Sequence, residues 1–256
     1  MSKSTKQYLD IIADRLWDGH ASLFVGAGFS KNAILRSGAK MPPDWNELGD
    51  LFFEKTRHRK PKAMDRAYAN VLRLAEEVNC FCGRESLSDL IRESINDANL
   101  EPSDLHLQLL SLPWEDVYTT NYDTLLDRAA NQLNGRGKRT YSLILNDQDI
   151  GLSSSPFLMK LHGNINDPNS IVITEEDYRK YPSLHKAMIN HIQNTIMTET
   201  LVLIGFSGND PNFIQWLGWV KDALNENQRK VYMLTTGAVS ESMVKTFEKK
   251  NVVIVN

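Results

Sequence analysis

The sequence predicts an α/β fold, in which a Rossmann-like parallel sheet is covered by helices on both faces. Short, almost continuously apolar segments alternate with segments of helical periodicity, as in buried parallel strands joined by helices. The first strand, at 22–25, runs directly into a glycine-rich turn at 26–30. A strand that ends in such a turn typically begins a nucleotide-binding unit. A charge-rich helical stretch at 45–110 follows and is predicted to be a module inserted between the first two strands of the sheet.

Length and composition exclude several other classes of protein. The 256 residues suit one large domain or a domain with a sizeable insertion, and 41% hydrophobic residues are typical of a globular chain. The net charge of −3 gives no overall basic field, so direct nucleic-acid binding is not expected.

The chain carries no membrane or export signal that the sequence reveals. Its apolar runs are of strand length, far from the roughly 18–20 residues of a membrane helix. The first 19 residues are polar and amphipathic, without the apolar core of a signal peptide. We therefore expect a cytoplasmic protein that does not associate with membranes.

The cysteine count argues against a zinc site. Cys80 and Cys82 are the two cysteines, and they flank Phe81. They lie too close in sequence for an easy disulfide and are too few for a four-ligand zinc site. We therefore expect neither a zinc ribbon nor another metal.

The remaining elements follow from the periodicity in chain order. A leading helix is predicted at 5–18, and the inserted module contains a further helix at 86–96. Later strands are predicted at 116–120, 139–145, 156–161, 170–174, 201–205, 230–235 and 251–255, separated by helices at 123–133, 184–198, 211–225 and 239–250. Because the last strand reaches the final residue, we hypothesise that residues 1–256 form a single domain at the N-terminus of a longer protein.

Two of the strand ends carry glycine turns. The first turn, Gly-Ala-Gly-Phe-Ser at 26–30, lets the backbone approach a phosphate, and Ser30 can cap the next helix. A tight turn without a ligand explains it equally well. Lys31 stands where the dinucleotide fingerprint has its third glycine, so an ordinary dehydrogenase is a poor match. Gly205 and Ser207 lie in the second turn, before a helix that Asp210 can cap.

The other two strand ends carry polar side chains. Asn121 and Asp123 follow the strand at 116–120, where they either line a ligand crevice or merely cap the next helix, and spacing alone slightly favours the cap. His162 follows the strand at 156–161 and precedes a glycine. A histidine at a strand end can act as a general base, although a lone histidine is more often structural.

Taken in order, these four strand ends resemble the Sir2 superfamily, and more narrowly the bacterial SIR2-like domains of antiphage defence systems. The resemblance spans about 23–255 and implies a Rossmann-like fold with an inserted helical module. It implies that Asn121 positions water at the nicotinamide ribose and that His162 is the catalytic histidine. By the same resemblance, the residues that bind the NAD cofactor are Gly26, Ala27, Gly28, Ser30, Asp44, Thr120, Asp123, Gly205 and Ser207.

Within that set, Asp44 belongs to a segment that matches a family motif only in part, and Thr120 stands where the family has glutamine. The missing four-cysteine module and the lack of a clear peptide-binding strand at 164–173 argue against protein deacylation. The expected reaction is hydrolysis of NAD⁺ to nicotinamide and ADP-ribose, with NAD as substrate and no metal. An NAD⁺-depleting defence effector would need gating by homo-oligomerisation, a sensor domain or a partner protein. A non-catalytic sensor of NAD or ADP-ribose and an NAD-dependent deacylase remain as alternatives.

Overall fold

The computed structural model describes residues 4–256, apart from the side chain of Glu226. The strands are β1 Ala21–Val25, β2 Ile34–Leu35, β3 Leu100–Glu101, β4 Val117–Thr119, β5 Ser142–Ile144, β6 Phe157–Lys160, β7 Thr200–Ile204, β8 Val231–Leu234 and β9 Val252–Val255. The α-helices are α1 Thr5–Trp17, α2 Ala27–Ser30, α3 Trp45–Arg57, α4 Ala63–Ala67, α5 Val71–Ile95, α6 Asp104–Ser111, α7 Leu125–Gly135, α8 Asp147–Leu152, α9 Glu175–Leu184, α10 Lys186–Thr198, α11 Pro211–Leu224 and α12 Glu241–Glu248.

Seven strands form one parallel sheet in the order β5-β6-β4-β1-β7-β8-β9. The chain enters at β1, builds one side of the sheet through β4, β5 and β6, and then crosses to β7 on the other side. The strand order therefore reverses between β1 and β7. In open α/β sheets, ligands bind beyond the carboxyl ends of the strands at such a reversal.

Alternate side chains of the central strands feed two cores, one on each face of the sheet. Leu23 and Val25 pack with Leu110 and Leu126 of α6 and α7, whereas Phe24 packs on the opposite face against α10 and α11. The five residues of β1 are all buried, as expected for a strand covered on both faces. The predicted Rossmann-like sheet with helices on both faces is confirmed.

The inserted module has its own core, built by α3 and the two halves of α5. Phe52, Val78, Leu87 and Ile91 are fully buried there. Gly83 interrupts α5 with a φ of +85°, so the element consists of two helices that meet at a kink. The same core includes side chains from the loops after β4 and β6, namely Tyr122, Ile165, Ile171 and Ile173. The module therefore packs directly against the loops that carry Asn121 and His162.

Two sequence predictions about strands are wrong. The expected strand at 170–174 is a 3₁₀ turn at Pro168–Ser170 followed by an irregular segment, and Thr174 caps α9. Ile171 and Ile173 are buried against the helical module, and Val172 packs into a core of the sheet, so none of them pairs as a strand. The stretch at 45–110, which was predicted to be entirely helical, also contains the strand β3, which pairs antiparallel with β2. Each partner has only two residues, too few to show the alternation by which strands are recognised.

Within residues 4–256, no helix combines the length and apolar character that crossing a bilayer requires.

Candidate active site

The candidate site lies at the carboxyl edge of the parallel sheet, beside the reversal between β1 and β7. Gly26 follows β1, and Gly205 follows β7. Asn121 and His162 follow the neighbouring strands β4 and β6, each two residues beyond the paired positions Thr119 and Lys160. The topology thus brings all four sequence-predicted strand ends to one edge of the sheet.

The two glycine turns pack backbone against backbone. The amide of Gly28 donates to the carbonyl oxygen of Gly205 at 2.9 Å. A Cβ on Gly26 would lie 2.5 Å from that oxygen, and a Cβ on Gly205 would lie 2.3 Å from the amide nitrogen of Phe29. Gly205 also has a φ of +62°. Glycine is therefore required at these positions by close backbone approach, while Ala27 and Gly28 remain exposed at the edge.

Replacing Gly205 with alanine is expected to destabilise the fold by more than about 2 kcal/mol, because backbone must shift and a positive φ must be held. Gly218→Ala is the matched control. Gly218 lies inside α11 with no neighbour within 4 Å of an added Cβ, so this change should stabilise by about 0.5–1 kcal/mol. Urea unfolding measures both. Equal stabilities for the two variants would show that the contact between the turns is not close.

Asn121, Ser30 and Asp123 form a buried hydrogen-bond chain that connects the loop after β4 to the first glycine turn. The side-chain amide nitrogen Nδ2 of Asn121 donates to Ser30 Oγ at 3.0 Å, and Ser30 Oγ donates to Asp123 Oδ2 at 2.7 Å. All three residues are less than a tenth exposed. Asp123 also accepts from the amide of Leu125 at 3.1 Å. Asp123 thus reaches the first amide of α7, whereas Thr124 is the N-cap of that helix and makes no capping hydrogen bond through its side chain.

The orientation of Asn121 depends on β4 and β1. Thr119 Oγ1 donates to the carbonyl oxygen of Val25 at 2.8 Å and accepts from the backbone amide of Asn121 at 3.0 Å. Thr120, which stands where the family has glutamine, lies between Thr119 and Asn121 in the sequence, and its side chain is half-buried. The asparagine is thus fixed through both its backbone and its side chain.

His162 is buried in a polar cage at the end of β6. Its Nε2 lies 3.3 Å from the amide nitrogen of Asn212 and 3.8 Å from Asp210 Oδ2, and its Nδ1 lies 3.5 Å from the Tyr178 hydroxyl. Burial lowers the pKa of His162, and the carboxylate of Asp210 opposes that shift. A lowered pKa favours the neutral imidazole at pH 7, the form that can accept a proton.

Comparison with known protein families shows to which family the chain belongs. A family model described as a SIR2-like domain matches residues 115–255, more than half of the sequence. The chain belongs to the SIR2-like family. The resemblance inferred from the four strand ends is confirmed.

Two curated relatives of this SIR2-like domain carry functional names. "NAD(+) hydrolase ThsA" of Enterococcus faecium is 31% identical over 232 residues, covering 88% of this chain and 45% of the relative. "Defense-associated sirtuin 2" of Bacillus subtilis is 27% identical, covering 86% of this chain and 21% of the relative. The SIR2-like domain thus spans less than half the length of these two proteins.

Solved structures agree on the fold. A Sir2 homologue determined as an NAD complex superposes with a TM-score of 0.53 at 10% identity, covering 96% of this chain and 88% of that one. At this identity the likeness concerns architecture alone.

Lys160 is a buried residue of the SIR2-like domain that the sequence analysis did not select. Its ammonium group donates to the carbonyl oxygens of Tyr122 and Asp123 and to Asp127 Oδ2, the last at 3.4 Å. Its side chain has no exposed surface. The lysine therefore connects the loop that carries Asn121 to β6, the strand that His162 follows. The available signal was a lysine at the end of the otherwise apolar strand Phe157–Lys160.

Asp44 and Ser207 lie outside the hydrogen-bond chain of Asn121, Ser30 and Asp123. Asp44 caps α3 and pairs with Lys31 at 3.3 Å, which links it only indirectly to the first glycine turn. Ser207 is exposed, and its Oγ accepts from the amide of Asn209 at 3.4 Å. The structure places both near the ends of the two glycine turns without joining them to Asn121 or His162 by hydrogen bonds in the part it describes.

Among the described residues, 4–256, no group of three histidine, cysteine or acidic side chains is arranged to hold a metal ion. Cys80 and Cys82 are both exposed free thiols on α5.

Proposed function

We propose that this SIR2-like domain hydrolyses NAD⁺ at the N-glycosidic bond to nicotinamide, leaving ADP-ribose. The observation that carries the proposal is the placement of Asn121 and His162 at matching positions beyond β4 and β6, beside the paired glycine turns. In this proposal a nucleotide lies along the turns, with its nicotinamide ribose facing the two polar side chains. The names of the two curated relatives support the same chemistry and a role in defence.

The expected chemistry needs orientation more than strong acid catalysis. Nicotinamide is a cationic substituent of NAD⁺ and leaves as a neutral molecule, so positive charge develops on the ribose rather than on the leaving group. Asn121 would orient a water molecule at the anomeric carbon, and His162 would accept the proton of that water. Holding reactants in place is worth up to about 7–11 kcal/mol, and general-base help about 10²–10⁴-fold.

The remaining predicted residues take roles at the substrate's ends. The turn at 26–30 would bind the pyrophosphate with its exposed backbone at Ala27 and Gly28. Asp123 would accept from the nicotinamide amide, and Gly205 and Ser207 would lie on the adenosine side, with Asp44 and Thr120 at the edges of the cofactor. These assignments rest on the family resemblance.

The activity must be gated in a living cell, because unrestrained cleavage would exhaust the host's NAD⁺. We propose that self-association or a partner, as a sensor domain or a separate protein, provides the gate. The curated relatives, which are more than twice as long as the matched region, leave room for such a part.

Incubation with NAD⁺ followed by chromatography tests the proposal. We expect NAD⁺ to be replaced by nicotinamide and ADP-ribose, with a rate per protomer that rises with protein concentration if self-association opens the gate. An acetylated peptide in the mixture should remain acetylated, because the two cysteines cannot build the deacylases' zinc module. Tight binding of NAD⁺ without turnover at any protein concentration would favour the sensor alternative instead.

A further inference from the structure

Three side chains from two helices surround His162 and have no role in the mechanism above: Tyr178 of α9, and Asp210 and Asn212 at the start of α11. The Tyr178 hydroxyl lies 2.8 Å from Asp210 Oδ2 and 3.5 Å from His162 Nδ1. His162 is 2% exposed and Asn212 is 3% exposed. Protein groups rather than bulk water therefore decide where the imidazole carries its proton.

The directions of these hydrogen bonds select one tautomer. Tyr178 has a single hydroxyl proton, which the short contact gives to the carboxylate of Asp210. The hydroxyl oxygen is then an acceptor towards His162, so the imidazole proton lies on Nδ1. On the other side of the ring, the amide nitrogen of Asn212 can only donate, so Nε2 presents its lone pair. Both contacts point to the same neutral imidazole.

We propose that Asp210 and Tyr178 are positioning residues that hold His162 as the Nδ1–H tautomer. The lone pair of Nε2, which faces the Asn212 amide at 3.3 Å in this structure, then accepts the proton of the attacking water in place of that amide proton. The inference rests on the proposed hydrolysis and names the proton acceptor within it. As the bond between the anomeric carbon and nicotinamide breaks, its electron pair leaves with nicotinamide. The water oxygen bonds to that carbon, and the water proton passes to Nε2 before its release to solvent.

Asp210 also stabilises the product of that proton transfer. Its Oδ2 lies 3.8 Å from Nε2, so the imidazolium forms beside a carboxylate. The titratable groups that face His162 are Asp210 from α11, Tyr178 and Tyr181 from α9, and His185 at the end of α9. Burial lowers the pKa of His162, His185 lowers it further, and Asp210 raises it. Removing the charge of Asp210 therefore makes His162 a weaker base.

The helix-capping role of Asp210 can be separated from its charge. Its Oδ1 accepts from the amide of Phe213 at 3.0 Å at the start of α11. Asparagine keeps a side-chain oxygen for that cap, removes the negative charge, and puts an amide donor where Oδ2 accepts from Tyr178. The variant Asp210→Asn therefore tests the carboxylate as charge and as acceptor, and Tyr178→Phe tests the hydroxyl that lies between it and Nδ1.

Tyr181→Phe is the matched control for Tyr178→Phe. Tyr181 lies on the same helix, with its ring centroid 5.7 Å from that of His162, but its hydroxyl donates to the carbonyl oxygen of Leu161 at 2.7 Å. The control removes a buried hydroxyl beside the same imidazole without touching its hydrogen bonds. Any general loosening of the site should therefore affect both tyrosine variants, whereas loss of tautomer control should affect Tyr178→Phe alone.

The test is the pH profile of kcat for NAD⁺ cleavage. In Asp210→Asn and Tyr178→Phe, kcat should fall by about tenfold or more, part of the 10²–10⁴-fold that a general base supplies, with a much smaller change in KM. The acidic limb should move to lower pH in Asp210→Asn and stay in place in Tyr181→Phe. Unchanged limbs in all variants, or equal shifts in both tyrosine variants, would overturn the proposal.

A second readout does not need turnover. Nitrogen NMR of the ¹⁵N-histidine-labelled chain, with the His162 signals assigned by their loss in His162→Ala, reports which ring nitrogen is protonated. We expect protonated Nδ1 in the wild type and a shift towards protonated Nε2 in Tyr178→Phe and Asp210→Asn. If the chain shows the expected tautomer but leaves NAD⁺ intact, the proposed hydrolysis fails while the arrangement of the cage stands. A wild-type imidazole protonated on Nε2 would refute the inference itself.

Discussion

The His162→Ala variant is expected to lose NAD⁺ cleavage by about 10²–10⁴-fold while it keeps its fold. The histidine is the only imidazole among the site residues proposed from the sequence, and burial lowers its pKa, which favours the neutral form near pH 7. Alanine leaves the attacking water without a proton acceptor. Nicotinamide release measures the loss, and circular dichroism checks that the fold persists.

His20→Ala is the control for this prediction. His20 is exposed and precedes β1, at the opposite edge of the sheet from the site, and its carbonyl oxygen rather than its side chain accepts from Thr200. We expect it to cleave NAD⁺ at the wild-type rate. Full activity in His162→Ala would remove the histidine from the mechanism, whatever the activity of the control.

The Lys160→Met variant is expected to destabilise the protein by about 3–5 kcal/mol, the usual effect of removing one partner of a buried ion pair. Methionine fills a similar volume but leaves the carboxylate of Asp127 and the carbonyl oxygens of Tyr122 and Asp123 without their donor. Burial raises the pKa of Asp127, and Lys160 opposes that shift. Urea unfolding measures the loss.

The deficit of Lys160→Met should grow with pH. Without the ammonium group, the folded-state pKa of Asp127 rises further above its unfolded value, and a group with a raised folded-state pKa contributes stability that is lost as pH increases. The deficit should therefore be smaller at pH 5 than at pH 8. Lys6→Met is the control, since Lys6 is an exposed residue paired with Asp10 on α1 and should leave the unfolding midpoint in place. A Lys160→Met deficit that is independent of pH would contradict this account of Asp127.

Periodicity and strand ends were sufficient for most of the architecture, because buried parallel strands and their glycine turns are local signals. Residues 170–174 show where such signals fail. Ile171 and Ile173 are as apolar as a strand, but the helical module buries them and no neighbouring strand pairs with them. Whether an apolar run pairs or packs depends on contacts with α5, which lies far away in the chain.

The candidate site divides in the same way. Gly26, Asn121 and His162 were identified because each lies directly after a strand. Tyr178 and Lys160 were not, because a tyrosine within a helix and a lysine within a strand acquire their roles only through tertiary contacts, with His162 and with the Asn121 loop respectively. Asp210 was recognised only as a helix cap, since its approach to His162 depends on the docking of α11 against the sheet.

Hydrolysis of NAD⁺ by water beside Asn121 and His162 is the proposed activity of this SIR2-like domain. Its most direct test is simultaneous quantification of nicotinamide and ADP-ribose from the wild type, Asn121→Ala and His162→Ala, at equal concentrations of folded protein. We predict equal amounts of the two products from the wild type and almost none from either variant. Equal product formation by all three proteins, or nicotinamide without a matching amount of ADP-ribose, would contradict the account.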